Sequence, residues 1–152
     1  MTTPHALAPD LIDRLRRRFA DHPLHRALGI EFVSLSLDRC SVAIGLHELS
    51  DNGSGTIHGG VLAILADAAV AGALSTNFDG RMGFATSHLS LQFLRRARGR
   101  VTASAEILKK GAKVCAGRVD IIDAEGRLVA VAAADFVLTT SKLPHREPDQ
   151  GR

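Results

Sequence analysis

Tryptophan and tyrosine are both missing from this chain, and phenylalanine occurs only 6 times. That scarcity argues against a reader of single-stranded nucleic acid, which stacks bases on aromatic rings. Surplus positive charge is also small: 19 basic against 16 acidic residues leave +3, well short of the footprint of a nucleic-acid binder. No nucleic-acid partner is expected, and an anionic small molecule remains compatible. Cysteine is equally sparse. Cys40 and Cys115 are the only 2 and show no CxxC or Cys/His ligand spacing, so neither a disulfide framework nor a metal site is expected. Two reduced, buried thiols fit a cytoplasmic protein.

Targeting and membrane signals are lacking as well. The opening MTTPHALAPD does not have the basic-then-apolar form of a secretory leader. One long apolar run occurs, VLAILADAAVAGALST, but it contains Asp67, is rich in alanine and is shorter than a bilayer usually needs. No membrane partner is expected.

What is present is organised around that run. Asn52 to Gly60 form a glycine-containing turn that leads into it, and a helix apolar on all sides, roughly 25 Å long at 1.5 Å per residue, must be wrapped by other elements. Ahead of it, residues 10 to 20 read as an amphipathic helix capped by Asp10, with Leu11, Ile12, Leu15 and Phe19 on one face and Arg14, Arg16, Arg17 and Arg18 opposite. A helical turn over Pro23 to Leu28, closed by Gly29, follows. Ile30 to Leu37 and Arg39 to Leu46 then read as strands joined at Asp38, with a slip of apolar phase between Phe32 and Val33 that predicts a bulge.

Asn77-Phe78-Asp79-Gly80 carries stop chemistry for the central helix. Four further strands are expected at Met82 to Leu94, Arg100 to Lys109, Ala112 to Ile122 and Arg127 to Thr139, separated by short turns. Leu128 to Leu138 is nearly all apolar, so one face should lie on the central helix and the other under a second subunit or the N-terminal helix. The expectation is an α+β domain in which an antiparallel sheet wraps one helix. Residues 1–21 would be the N-terminal helix, 22–140 the domain and 141–152 a frayed tail.

Asp67 is the one charge in the apolar helix, and burying it unpaired would cost several kcal/mol. It therefore either faces a cleft, where it could serve as general base or as nucleophile, or bonds to a neighbouring strand. Gly59 and Gly60 at the helix start leave backbone N–H groups unobstructed, aided by the helix dipole. Such donors suit an oxygen that gains negative charge. The same glycines would also permit a tight turn and close packing.

The spacing Asn52-x2-Gly55-x2-His58-Gly59-Gly60-x6-Asp67 resembles that of the hotdog-fold thioesterases, in particular the group containing the phenylacetate-pathway acyl-CoA thioesterases. The resemblance spans about residues 22 to 140 and includes Thr86 and Ser87 on a strand, the Phe93-Leu94-Arg95-Arg96 turn and an Asp-x-x-Gly hairpin. It implies hydrolysis of an aromatic or short- to medium-chain acyl-CoA without cofactor. Gly59 N–H would be the main donor to the thioester oxygen, Asn52 would assist, and Asp67 would act in a site shared between two subunits of a homodimer, within a dimer of dimers. His58 would support the turn, and Thr86 matches the place of a water-orienting hydroxyl. Ser87 would face the other way and His88 would share the Thr86 face, subject to the register of the strand.

Gly60, His58, Ser87, Arg95 and Arg96 are read as substrate-contacting. Arg95, Arg96, Arg98 and Arg100, with Lys109, Lys110 and Lys113, form a basic set suited to the phosphates of coenzyme A. Two other functions compete: an acyl-CoA sensor without hydrolysis, and a hotdog hydratase. The joint presence of Asn52, Gly59 and Asp67 favours hydrolysis over the sensor, and His58 in its His-Gly-Gly context does not resemble the motif in which hotdog hydratases place a catalytic histidine with an acidic partner.

Overall fold

A computed structural model describes residues 6–78 and 82–139. The tail expected at 141–152 and the Asp79-Gly80 part of the helix stop lie outside the described residues. In order, the elements are α1 (Pro9–Ala20), α2 (Pro23–Leu28), β1 (Glu31–Ser36), β2 (Arg39–Ile44), α3 (Gly59–Ser75), β3 (Gly83–Phe93), β4 (Val101–Lys110), β5 (Val114–Asp123) and β6 (Leu128–Thr139). Strand limits fall within two or three residues of those read from sequence. No described helix is long and apolar enough to cross a membrane.

The six strands form one antiparallel sheet in the order β1-β2-β4-β5-β6-β3. Alternation builds it: Cys40, Val42 and Ile44, then Val101, Ala103 and Ala105, then Cys115, Val119 and Ile121 are buried on the face toward α3. The opposite face is largely polar, with Arg39 paired to Glu106, Ser41 to Ser104 at 2.9 Å, and Arg118 to Asp120 at 2.9 Å. The expected slip in β1 is present between Phe32 and Ser34.

Small residues set how closely α3 approaches the sheet. A Cβ on Gly72 would lie 2.6 Å from Cys40 Sγ, and one on Gly117 of β5 would lie 2.8 Å from Val70 Cγ1. Both positions therefore hold glycine because backbone and side chain are in direct contact. Burial pushes the Cys40 thiol up to about 12, which keeps it an inert packing group. The C-terminal end of α3 is tied to the β1–β2 turn, where Asp38 has φ 63°. Asp38 N donates to Thr76 Oγ1 at 2.9 Å, and Asn77 Nδ2 donates to Asp38 Oδ1 at 2.8 Å.

Two expectations are corrected. The cap of α1 is Ala8 with Pro9 as the first helical residue, and Asp10 lies inside the first turn without a capping bond; proline's fixed φ already suits that position. The N-terminal helix also does not cover the outer face of β6. Its stripe of Leu11, Leu15 and Phe19 packs toward β1, α2 and α3, with Phe19 edge-on to Phe32 at 5.6 Å and Arg16 over the Phe32 ring at 5.4 Å. Ala133 and Val137 on the outer row of β6 remain exposed.

The contact at Gly72 can be tested. Gly72→Ala is expected to destabilise the fold because an overpacking cost of about 1–3 kcal/mol exceeds the helix gain of about 1 kcal/mol. In a Cys40→Ala background the same change should become neutral or stabilising, as read from urea denaturation of the four chains.

Candidate active site

Three structural features meet at α3: its N-terminal turn, its midpoint at Asp67, and the edge strand β3. His58 is the N-cap of α3, with extended backbone (φ −60°, ψ 136°), and its Nδ1 accepts from Gly60 N at 2.9 Å. Val61 N and Leu62 N both donate to His58 O. The Gly60 amide expected to contact substrate is thus committed to the cap. Among the described residues, Gly59 N–H has no acceptor, so a single orphan donor is left at the positive end of the helix.

The loop before the cap is built by its own side chains. Asp51 Oδ1 accepts from Gly53 N and Gly55 N at 2.8 and 3.0 Å, and Asn52 Oδ1 accepts from Ser54 N at 2.9 Å. Gly53 and Gly55 have φ of 84° and 72°, which the loop requires. Buried Ser50 takes the His47 N–H on Oγ at 2.8 Å and the His58 N–H on its carbonyl at 2.7 Å. Asn52 is exposed, and its Nδ2 is the side-chain donor left over once Oδ1 is used.

Asp67 is half-buried and lines a cavity, and Thr86 Oγ1 donates to its Oδ1 at 2.7 Å. The register of β3 explains why Thr86 reaches it. Thr86 pairs with Phe136 and His88 with Asp135, leaving Ser87 as an extra residue in a bulge whose Oγ donates to Asp135 O at 3.1 Å. Before the bulge the even-numbered Phe84 and Thr86 face α3; after it the odd-numbered Leu89, Leu91 and Phe93 do. His88 therefore does not share the Thr86 face, which corrects the expectation from simple alternation.

Phe93, read from sequence as the end of a strand entering a turn, lies beside the orphan amide: a Cβ on Gly59 would sit 3.1 Å from its ring. The Arg95–Ala97 segment continues beside the same turn through Ile57 N donating to Ala97 O at 2.8 Å. Arg95 Nη1 donates to Leu128 O at 2.8 Å, and Arg96 is exposed. The basic set does not form one patch. Lys110 sits at the other end of α3, bonded to Asp38 at 2.8 Å and Asn77 at 3.1 Å, and Arg100 is paired with Glu31 at 2.7 Å. Hairpin topology separates neighbours that look clustered in sequence.

A second group went unnoticed in the sequence. His25 of α2 lines the cavity with Asp67, packs at a tilt against Phe19, stacks on His22, and donates from Nδ1 to Phe19 O at 3.1 Å. Burial lowers its pKa below the ordinary value, the Phe19 bond and the Asp67 carboxylate oppose this, and His22 reinforces it. No spacing signal marks it, since α2 is only 6 residues long. Among the described residues no cluster of three His, Cys, Asp or Glu is placed to hold a metal ion.

The profile of the thioesterase superfamily matches residues 54–130, from the loop before α3 into β6. The chain belongs to the thioesterase superfamily. Its fold is the hotdog, and its chemistry as a member is thioester hydrolysis. It is 31% identical over 127 residues to a protein of Halobacterium salinarum named "Putative esterase", an alignment covering 76% of this chain and 84% of that one. The structure is similar to the Escherichia coli PaaI protein from the phenylacetic acid degradation operon, with TM-score 0.80, 22% identity, and coverage of 90% of this chain and 99% of that one. It is also similar to a thioesterase of Haemophilus influenzae, with TM-score 0.80, 21% identity, and coverage of 93% and 99%.

Two tests follow from this thioesterase site. His58→Ala should cost about 1 kcal/mol by loss of the cap, while His58→Asn, which can accept the same bond, should recover most of it and retain turnover. Urea denaturation alongside thiol release reads both. Because the folded chain lowers the His25 pKa, the unfolded chain binds that proton more readily, so His25 withdraws stability as pH falls below the ordinary value of 6.5. Acidification from about pH 7.5 to about pH 5 should lower the urea midpoint of the wild type more than that of His25→Phe.

Proposed function

We propose that the chain is an acyl-CoA thioesterase whose active sites are each shared between two subunits of a homodimer. The observation that carries this is a separation. Asp67 and the orphan Gly59 amide lie eight residues apart on α3, which at 1.5 Å per residue is about 12 Å. One thioester carbonyl needs an attacking oxygen and an oxyanion donor each about 3 Å from the reacting atoms, so a single chain cannot supply both.

The unpaired edge of β3 supports how two chains combine. It is 11 residues long, is paired among the described residues only with β6 and exposes much of its length, a form of edge that invites pairing. Two copies joined along β3 about a two-fold axis would run their α3 helices antiparallel. Asp67 of one subunit would then approach Gly59 and Asn52 of the other. Exposed Leu108, Val114 and Val137 at one end of the outer sheet face support association of two such dimers.

In this mechanism Thr86 holds Asp67 Oδ1 and leaves Oδ2 to take a proton from water. The water oxygen attacks the thioester carbon while the partner subunit's Gly59 N–H stabilises the oxyanion. Collapse expels the CoA thiolate, which recovers the proton from Asp67, and the free acid departs. Arg95 and Arg96, near the His58–Gly60 turn, would attract the phosphates of CoA.

Subunit mixing tests the shared site. Asp67→Asn removes the base, and Gly59→Pro removes the orphan donor at a first helical position that tolerates proline, with His58 already extended as a residue before proline must be. Each variant alone should lose at least about 100-fold in kcat. Co-refolded in equal amounts they should recover about a quarter of wild-type activity, because half of the dimers carry one intact site of two. No recovery on mixing, with the heterodimer verified by mass, would refute the shared arrangement.

A further inference from the structure

Between the end of β2 at Ile44 and the start of α3 at Gly59 the chain forms a loop that belongs to no helix or strand, yet this loop carries Asn52 and leads into the cap that aims the Gly59 amide. A loop holds a donor to a fraction of an ångström only when its own groups tie it to rigid elements. The limb next to α3 is tied by Ile57 N, which donates to Ala97 O at 2.8 Å. The limb next to β2 is tied by the ring of His47.

His47 Nε2 lies 2.7 Å from Leu28 O, and Leu49 N donates to His47 Nδ1 at 3.3 Å. A carbonyl oxygen only accepts, so the ring hydrogen is on Nε2, and the same tautomer leaves Nδ1 as an acceptor. Both ring nitrogens are in use. Leu28 is the last residue of α2, where carbonyls lack helical partners, and the Leu28 and Ile30 side chains are buried in the core. The ring therefore grips a carbonyl that is free to accept and held in place.

From His47 the bonding continues to the cap. Ser50 N and Asp51 N both donate to His47 O at 2.9 Å, His47 N donates to Ser50 Oγ at 2.8 Å, and Ser50 Oγ donates to Gly45 O at 3.0 Å. Ser50 is fully buried, and its carbonyl takes the His58 N–H at 2.7 Å, one residue before Gly59. The connection from the end of α2 to the orphan amide thus runs through Leu28, His47, Ser50 and His58.

We propose that His47 is a positioning residue for thioester hydrolysis: its ring pins the loop to the end of α2 so that the Gly59 N–H points to where the oxyanion forms. The role rests on the reading of Gly59 as the oxyanion donor, and His47 acts through Ser50 and His58. A donor aimed in advance needs no reorganisation as charge develops, and an unpinned loop loses this advantage in the transition state more than in the bound substrate. Loss of the pin should therefore lower kcat more than it raises KM.

The test follows thiol release by the full-length chain from phenylacetyl-, benzoyl- and hexanoyl-CoA, with rates expressed per folded molecule from urea denaturation. His47→Ala should lose about tenfold in kcat with KM nearly unchanged. His47→Gln, whose amide nitrogen reaches the place of Nε2 and can donate to Leu28 O, should recover most of that loss. His47→Asn, whose side chain can serve Leu49 N but is too short for Leu28 O, should not. In a Gly59→Pro background His47→Ala should have little further effect, because the donor it aims is already gone, whereas a general loosening of the fold would lower kcat by the same factor in both backgrounds. Wild-type kcat in His47→Ala or His47→Asn, or an undiminished loss in the Gly59→Pro background, overturns the assignment and leaves the thioesterase reading standing. If His47→Ala fails to fold, the contrast between Gln and Asn decides in its place. Wild-type kcat in Gly59→Pro overturns both the donor and its positioning, and absence of thiol release from every thioester overturns the thioesterase reading with them.

Discussion

The contact between Gly72 of α3 and Cys40 of β2, matched by Val70 against Gly117 of β5, is the constraint on which the rest of the architecture depends. A helix at that distance from a sheet cannot rotate or slide without driving backbone into side chain. Its azimuth is therefore fixed, and with it the direction of Asp67, which turns toward the cavity and Thr86 of the edge strand. Apolar burial provides the driving force, but it is non-directional; the glycine contacts decide which way the carboxylate points. The small residues that looked, in sequence, either like space for a ligand or like close packing do both. Gly72 touches the sheet, while Ala68 and Ala71 also border the cavity.

The start of α3 shows a similar economy. Four N–H groups at a helix N-terminus lack partners within the helix. Here the His58 carbonyl takes two and its imidazole takes a third, so that Gly59 alone projects a donor. A histidine in this position invites assignment as a general base, yet its Nδ1 lone pair is already in use. The division of labour between cap and donor is a property of the turn, and the glycine following the cap is where a Cβ would press on the Phe93 ring at 3.1 Å.

Much of this was legible beforehand. Alternation in Cys40–Leu46 and the four later strands, the apolar run with its lone acid, and the slip at Phe32 all express local physics that a single chain segment carries in itself. What escaped was non-local. The face chosen by Thr86 over Ser87 depends on a bulge whose existence is settled by pairing with Asp135 and Phe136, 48 or more residues away. The basic residues of the Arg95–Arg100 and Lys109–Lys113 turns seem contiguous as text but occupy opposite ends of α3, because a strand lies between them. His25 carried no periodic mark at all; only the folding of α1 and α2 over α3 brings it beside Asp67.

The bulge at Ser87 has a consequence for how this strand can change over time. Because Ser87 is the extra residue, deleting it alone would restore regular pairing, Thr86 with Phe136 and His88 with Asp135, and keep Leu89, Leu91 and Phe93 toward α3, whereas losing Ser90 would turn Leu91 and Phe93 outward together. The ring over Gly59 would vanish in that second event while Thr86 stayed in place. Length variation within Gly83 to Phe93 is therefore tolerated at the bulge and nowhere else in the strand, so gaps in the lineage of this chain should fall in the turns or at Ser87.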